Sequence, residues 1–64
     1  MRTGTLLSLP NDFSRYGRIK DRDGTAYTVD PSIIPDGAEV DDQFAYKVEI
    51  WENDSGLVYE LEED

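Results

Sequence analysis

Turn-forming residues cut this chain into pieces too short for most helices. Pro10-Asn11-Asp12, Asp23-Gly24, Pro35-Asp36-Gly37 and Asn53-Asp54-Ser55-Gly56 leave strand-length segments between them. Strands are expected near Thr3–Leu9, Tyr16–Lys20, Thr25–Asp30, Gln43–Trp51 and Leu57–Leu61. The fourth is the clearest. In "FAYKVEIW", Phe44, Tyr46, Val48 and Ile50 alternate with Ala45, Lys47 and Glu49, a period of two that makes one buried and one wet face. The fifth repeats the pattern, with Leu57, Tyr59 and Leu61 inward, and Asn53-Asp54-Ser55-Gly56 joins the two as a hairpin. The one helical candidate is a turn at Pro31–Ile34, with Asp30 as its cap and Pro31 at its first position.

Five short strands with a small turn after the third predict an all-β, five-stranded antiparallel barrel. Closing the sheet removes exposed edges, which matters when little core is available. The expected core is Leu6, Ile19, Val29, Ile34, Phe44, Tyr46, Val48, Ile50, Leu57 and Tyr59. At 64 residues the chain is expected to form a single domain, with 62–64 as a frayed tail. No stretch approaches the roughly 20 apolar residues of a membrane helix, and no signal peptide is visible, so a soluble cytoplasmic monomer is expected.

The chemistry available is limited. The chain has no histidine and no cysteine, which removes the usual general bases, thiol nucleophiles and thiolate metal sites. It has no phosphate-cradling glycine loop. Asp21-Arg22-Asp23-Gly24 lacks the further ligands of a calcium loop and reads as a hairpin turn. A non-catalytic binding module, with no cofactor and no metal, is the expectation.

Charge is distributed unevenly. Fifteen acidic residues against six basic ones give a net charge of −9, a field that repels phosphates. Asp outnumbers Glu nine to six and there are two lysines, a balance that fits either an ordinary soluble domain or a host living in high salt. Yet four of the six bases, Arg15, Arg18, Lys20 and Arg22, fall within eight residues. Tyr16, Arg18 and Lys20 share the outward phase of the second strand. One reading is a binding stripe: guanidinium groups attract phosphate and stack on bases. The other is charge balance, with these bases paired to Asp21, Asp23, Glu49 or Glu60 on neighbouring strands. Tyr16 likewise reads as a stacking group or as an ordinary half-buried strand tyrosine.

The order of segments resembles the cold-shock domain, a small OB-fold barrel, over nearly the whole chain. "GTLLSL" (Gly4–Leu9) is similar to the family's first strand, and "RYGRI" (Arg15–Ile19) to its second, Gly-Phe-Gly-Phe-Ile. "YTVDPSII" (Tyr27–Ile34) is similar to Val-Phe-Val-His-Phe-Ser-x-Ile, and "FAYKV" (Phe44–Val48) to the fourth strand. The resemblance implies single-stranded RNA or DNA binding on strands one to three, where the family stacks bases on aromatics. The departures are large. The family's tryptophan and following phenylalanine are Ser8 and Leu9, its second aromatic of strand two is Arg18, and the third strand carries Thr28, Asp30 and Pro31. Tyr16 alone keeps its aromatic. Each base–aromatic stack contributes roughly 1–3 kcal/mol, so binding is expected to be weak and to rest on Arg15, Tyr16, Arg18, Lys20, Arg22 and Thr28.

The alternative is a protein-interaction or structural module that no longer binds nucleic acid. Trp51 bears on it, because it falls out of phase with the inward series of its strand. Joined to Val58 and Leu7 it would form an apolar outer patch for a partner. A twist or bulge there would instead tuck its ring over the barrel end.

Overall fold

The computed structural model describes residues 2–53 and 55–63. Its elements are β1 (Arg2–Ser8), β2 (Gly17–Asp21), β3 (Ala26–Val29), a 3-10 turn at Pro31–Ile33, β4 (Gln43–Ile50) and β5 (Gly56–Glu63). The strands close into a barrel in the order β1-β2-β3-β5-β4. Asp54, within the expected β4–β5 hairpin turn, and Asp64 lie outside the described residues.

The ring is mixed rather than wholly antiparallel. β1–β2, β2–β3, β4–β5 and β1–β4 pair antiparallel, while β3 and β5 pair parallel through Thr28 with Leu57 and Val29 with Val58. The reason is parity. Directions cannot alternate all the way round a ring with an odd number of strands, so at least one seam must be parallel. It falls where the chain, after β3, crosses to β4 before returning as β5.

Local sequence explains the connections. Gly24 turns the β2–β3 hairpin with a positive φ of 93°, and its N–H donates to the Asp21 carbonyl at 3.0 Å. Asp30 caps the turn after β3 as expected: its carboxylate accepts from the Ser32 N–H at 2.9 Å and from the Ser32 hydroxyl at 2.8 Å. Before β4, the Asp41 N–H donates to the Leu6 carbonyl and the Leu6 N–H to the Asp42 carbonyl, carrying the β1–β4 pairing past Thr5 and Gln43. Asp41 takes a φ of 78° there, a left-handed conformation that Asp tolerates better than most residues.

The buried core is Leu6, Ile19, Tyr27, Val29, Phe44, Tyr46 and Val58. Leu9, Ile33, Ile34, Ala38, Val48 and Leu61 pack against it while partly exposed. Three expected core residues are displaced. Tyr59 is 55% exposed and Val58 takes its place, because the β4–β5 register steps from Lys47–Glu60 to Val48–Val58 and leaves Tyr59 unopposed. This bulge lets Val58 and Leu61 both reach the core although an odd spacing separates them. Leu57 moves to the outer phase beside Thr28. Ile50 keeps its phase but pairs with Gly56 at the last rung of the hairpin and is 47% exposed. Gly56 is required here: a Cβ would lie 2.6 Å from the Glu49 carbonyl oxygen and 3.2 Å from the Tyr27 ring. The expected tail is also partly strand, since Glu62 pairs with Ala45 and Glu63 with Phe44. Among the described residues no helix is long and apolar enough to cross a membrane.

Candidate nucleic-acid interface

The short β2 alternates cleanly. Gly17 and Ile19 are buried, and Arg18 and Lys20 are exposed on the outer face. Register sets their neighbours. Arg18 lies between Ser8 on β1 and Thr28 on β3, and Lys20 between Thr5 and Ala26. Every one of these flanking residues is small and none is acidic. Beyond Thr28 the same row continues through Leu57 to Glu49, so its acid stands three strands away from Arg18.

Charge balance does not account for these bases. Among the described residues the ion pairs are Arg2 with Asp21 at 3.5 Å and Lys47 with Glu60 at 3.2 Å. Arg15, Arg18, Lys20 and Arg22 have no such partner and all are exposed. Three acids of the β2–β3 region, Asp21, Asp23 and Asp30, are engaged elsewhere. Asp23 accepts from the Thr25 N–H at 2.8 Å within the hairpin turn. Asp30 caps the turn after β3. Asp21 accepts from the Tyr46 hydroxyl and meets Arg2, and its side chain is only 12% exposed.

Asp21 therefore belongs to the core's polar margin. The Tyr46 hydroxyl holds its carboxyl below the ordinary range, with help from the Asp23 N–H and Arg2 and against the opposing effect of burial. The same pair raises the Tyr46 hydroxyl, with burial as the larger cause. A depressed carboxyl contributes stability above its unfolded value of about 3.9 and loses it as pH falls through the folded value. Falling pH also relieves self-repulsion in so acidic a chain. The clean readout is thus a difference. Urea denaturation of the wild-type and Asp21→Asn proteins should give a stability gap near neutral pH that closes below about pH 4. A gap constant across the acid range would show that the charge on Asp21 contributes nothing.

The approach to β2 carries Arg15 and Tyr16. Tyr16 sits just before the strand and is 48% exposed. The preceding loop folds on Asn11, whose side-chain oxygen accepts from the Phe13 N–H at 2.8 Å and the Ser14 N–H at 3.0 Å. A backbone bond from the Asn11 N–H to the Ser14 carbonyl at 2.8 Å closes the turn, and the Ser14 hydroxyl donates to the Tyr16 carbonyl at 3.2 Å. The turn presents Phe13 to solvent, 99% exposed. Arg18, Lys20 and Thr28 thus share one outer sheet face, Arg15 and Tyr16 flank its entrance, and Arg22 stands in the hairpin turn at the far end.

Two exposed apolar groups near this face are absent from the expected site. Phe13 carries a sequence signal, an aromatic inside a polar turn that lacks the alternation needed to bury it. Leu7 is 42% exposed, in the outward phase of β1 next to the inward Leu6. The expected patch of Trp51, Val58 and Leu7 does not form, because Val58 is fully buried. Trp51 follows β4, half-exposed, and its N–H closes the β4–β5 turn on the Ser55 carbonyl at 2.7 Å. Elsewhere, an open cavity of about 290 Å³ lies between the 35–38 segment and the ends of β4 and β5. Asp36, Asp42 and Glu63 line it, so its charge disfavours phosphate.

No known protein family, curated protein or solved structure matches the chain.

Proposed function

We propose that this barrel is a non-catalytic module that binds single-stranded RNA or DNA weakly along the outer face of β2 and β3. One observation carries the reading. Among the described residues both bases outside residues 15–22 are ion-paired, whereas the four within that segment are exposed and unpaired. Leaving four like charges together without partners is unfavourable in itself, and a polyanion relieves it. Arg15, Lys20 and Arg22 attract phosphates, while Tyr16 and Arg18 offer planar groups for bases. Thr28, beside Arg18, supplies a hydroxyl and no bulk. The closed five-stranded ring, with β2 and β3 adjacent, supports an OB-type, cold-shock-like reading of the barrel.

Titration with single-stranded oligonucleotides, followed by amide shifts, tests this. Shifts are expected in residues 15–30, with little sequence preference because stacking accepts any base. Log affinity should fall against log salt with a slope no steeper than about −3, four contacts at roughly 0.7 each. An absence of shifts at millimolar protein, or shifts confined to the acidic cavity, would refute the proposal. The second reading, a protein-interaction module, is favoured by the exposed Ile50, Trp51 and Tyr59 on the β4–β5 side. It predicts a partner retained after nuclease treatment and no oligonucleotide shifts.

A further inference from the structure

We infer that Phe13 is the principal base-stacking group of this protein, held out on the β1–β2 loop in place of an aromatic on the sheet. The inference rests on the nucleic-acid reading above and names the group that carries its base contact.

Phe13 is 99% exposed, the most exposed of the large apolar side chains among the described residues. Leaving a phenylalanine ring in water forgoes the stabilisation that burial of such a side chain provides. Nothing in the barrel's packing requires an aromatic at this position, because so exposed a ring leaves no surface against the core. Nor does the ring sit on a slack loop. Asn11 accepts from the Phe13 and Ser14 N–H groups, and the Asn11 and Ser14 backbones bond to each other in both directions, at 2.8 and 3.3 Å. The side chain is therefore presented from a preformed turn, and little ordering entropy is lost when a ligand meets it.

The surroundings of the ring select the ligand. Phe13 is two residues from Arg15 and three from Tyr16, so the Cα atoms of Phe13 and Tyr16 lie within about 11 Å. An apolar flat group beside unpaired guanidinium groups suits a molecule that is flat and apolar on its faces and anionic along its edge. A single strand of nucleic acid has that character: the base meets Phe13, and a flanking phosphate meets Arg15. A duplex keeps its bases stacked inside and offers Phe13 no face. Asp12, next in the turn and exposed, repels phosphate, whereas Arg15 attracts it.

The experiment compares wild type, Phe13→Ala, Phe13→Trp and Arg18→Glu. The probes are an oligothymidylate of about eight nucleotides, within the range one small barrel covers, and its abasic counterpart. Phe13→Ala should weaken oligothymidylate binding by about 5- to 160-fold and leave the salt slope unchanged, since every phosphate interaction remains. Its melting temperature should match wild type, because the ring buries nothing. Phe13→Trp should bind at least as tightly as wild type. On the abasic strand, wild type and Phe13→Ala should bind alike. Nuclear Overhauser contacts between the Phe13 ring and thymine protons would locate the stack directly.

The outcomes separate. If wild type binds, Arg18→Glu weakens binding and Phe13→Ala does not, the inference fails and the proposed function stands. If Phe13→Ala weakens binding equally on the abasic strand, the ring acts without stacking and the inference fails. If wild type binds neither probe, both fail.

Discussion

The Tyr46→Ala protein is expected to be largely unfolded at room temperature. Tyr46 is fully buried at the centre of β4 and lies against Tyr27, with ring centroids 6.2 Å apart. Truncating a buried aromatic to alanine costs about 3–5 kcal/mol. The missing hydroxyl also leaves the covered Asp21 carboxylate short of a donor, a further cost of about 1–3 kcal/mol. A chain of this length has about 3–10 kcal/mol of stability in total, so the loss is comparable to the whole. Far-ultraviolet circular dichroism and an amide spectrum read the result. Tyr46→Phe is the control. It keeps the ring and should remain folded, with a stability lower by about 1–3 kcal/mol. A Tyr46→Ala protein that melts within a few degrees of wild type would contradict the core described above.

The second large effect concerns binding. A triple variant, Arg15→Glu, Arg18→Glu and Lys20→Glu, should bind single strands about 100-fold more weakly, taking about 1 kcal/mol for each of the three side chains reversed. Fluorescence anisotropy with a labelled oligonucleotide measures it. The fold should survive, because none of the three side chains has an ionic partner among the described residues and all are exposed. General repulsion is separated by Lys47→Glu, which also adds negative charge but lies on β4, where Lys47 pairs with Glu60. That variant should bind nearly as well as wild type. The triple variant changes the net charge by −6 and Lys47→Glu by −2, so a Lys47→Glu loss about one third as large in log affinity would mean that net charge, not this face, governs association.

Much of the barrel is legible in the sequence because turn residues write its punctuation. Asp23-Gly24 and Asp30-Pro31 each constrain the backbone through their own bonds, so the strand ends fall close to the expected positions. The parallel seam follows from counting strands, once closure is assumed. The error in β5 has a different origin. Alternation in Leu57, Tyr59 and Leu61 is a real pattern, but one unopposed residue reverses its phase, and a bulge leaves no mark in the residues that flank it. Ile50 keeps its phase and fails for want of a layer to cover it, which only the barrel's height reveals. The basic residues of β2 are legible as a cluster. Their lack of partners is not, because it depends on where Asp21, Asp23 and Asp30 spend their hydrogen bonds. Phe13 lies outside every strand, so periodicity assigns it no face, and its exposure depends on how Asn11 folds the turn around it.

The parallel seam also divides the molecule by history. β1, β2 and β3 form one meander, built from neighbours in the chain, and β4 and β5 form one hairpin. The two pieces meet where β1 joins β4 and where β3 joins β5, and the latter joint pairs Thr28 with Leu57 and Val29 with Val58. These joints connect residues separated by nearly half the chain or more, so the entropy of loop closure is concentrated in them. The shorter joint is the natural place for the native ring to breathe. When it opens, the β2–β3 hairpin keeps its own rungs, Arg18 stays beside Thr28, and the basic face travels as one unit.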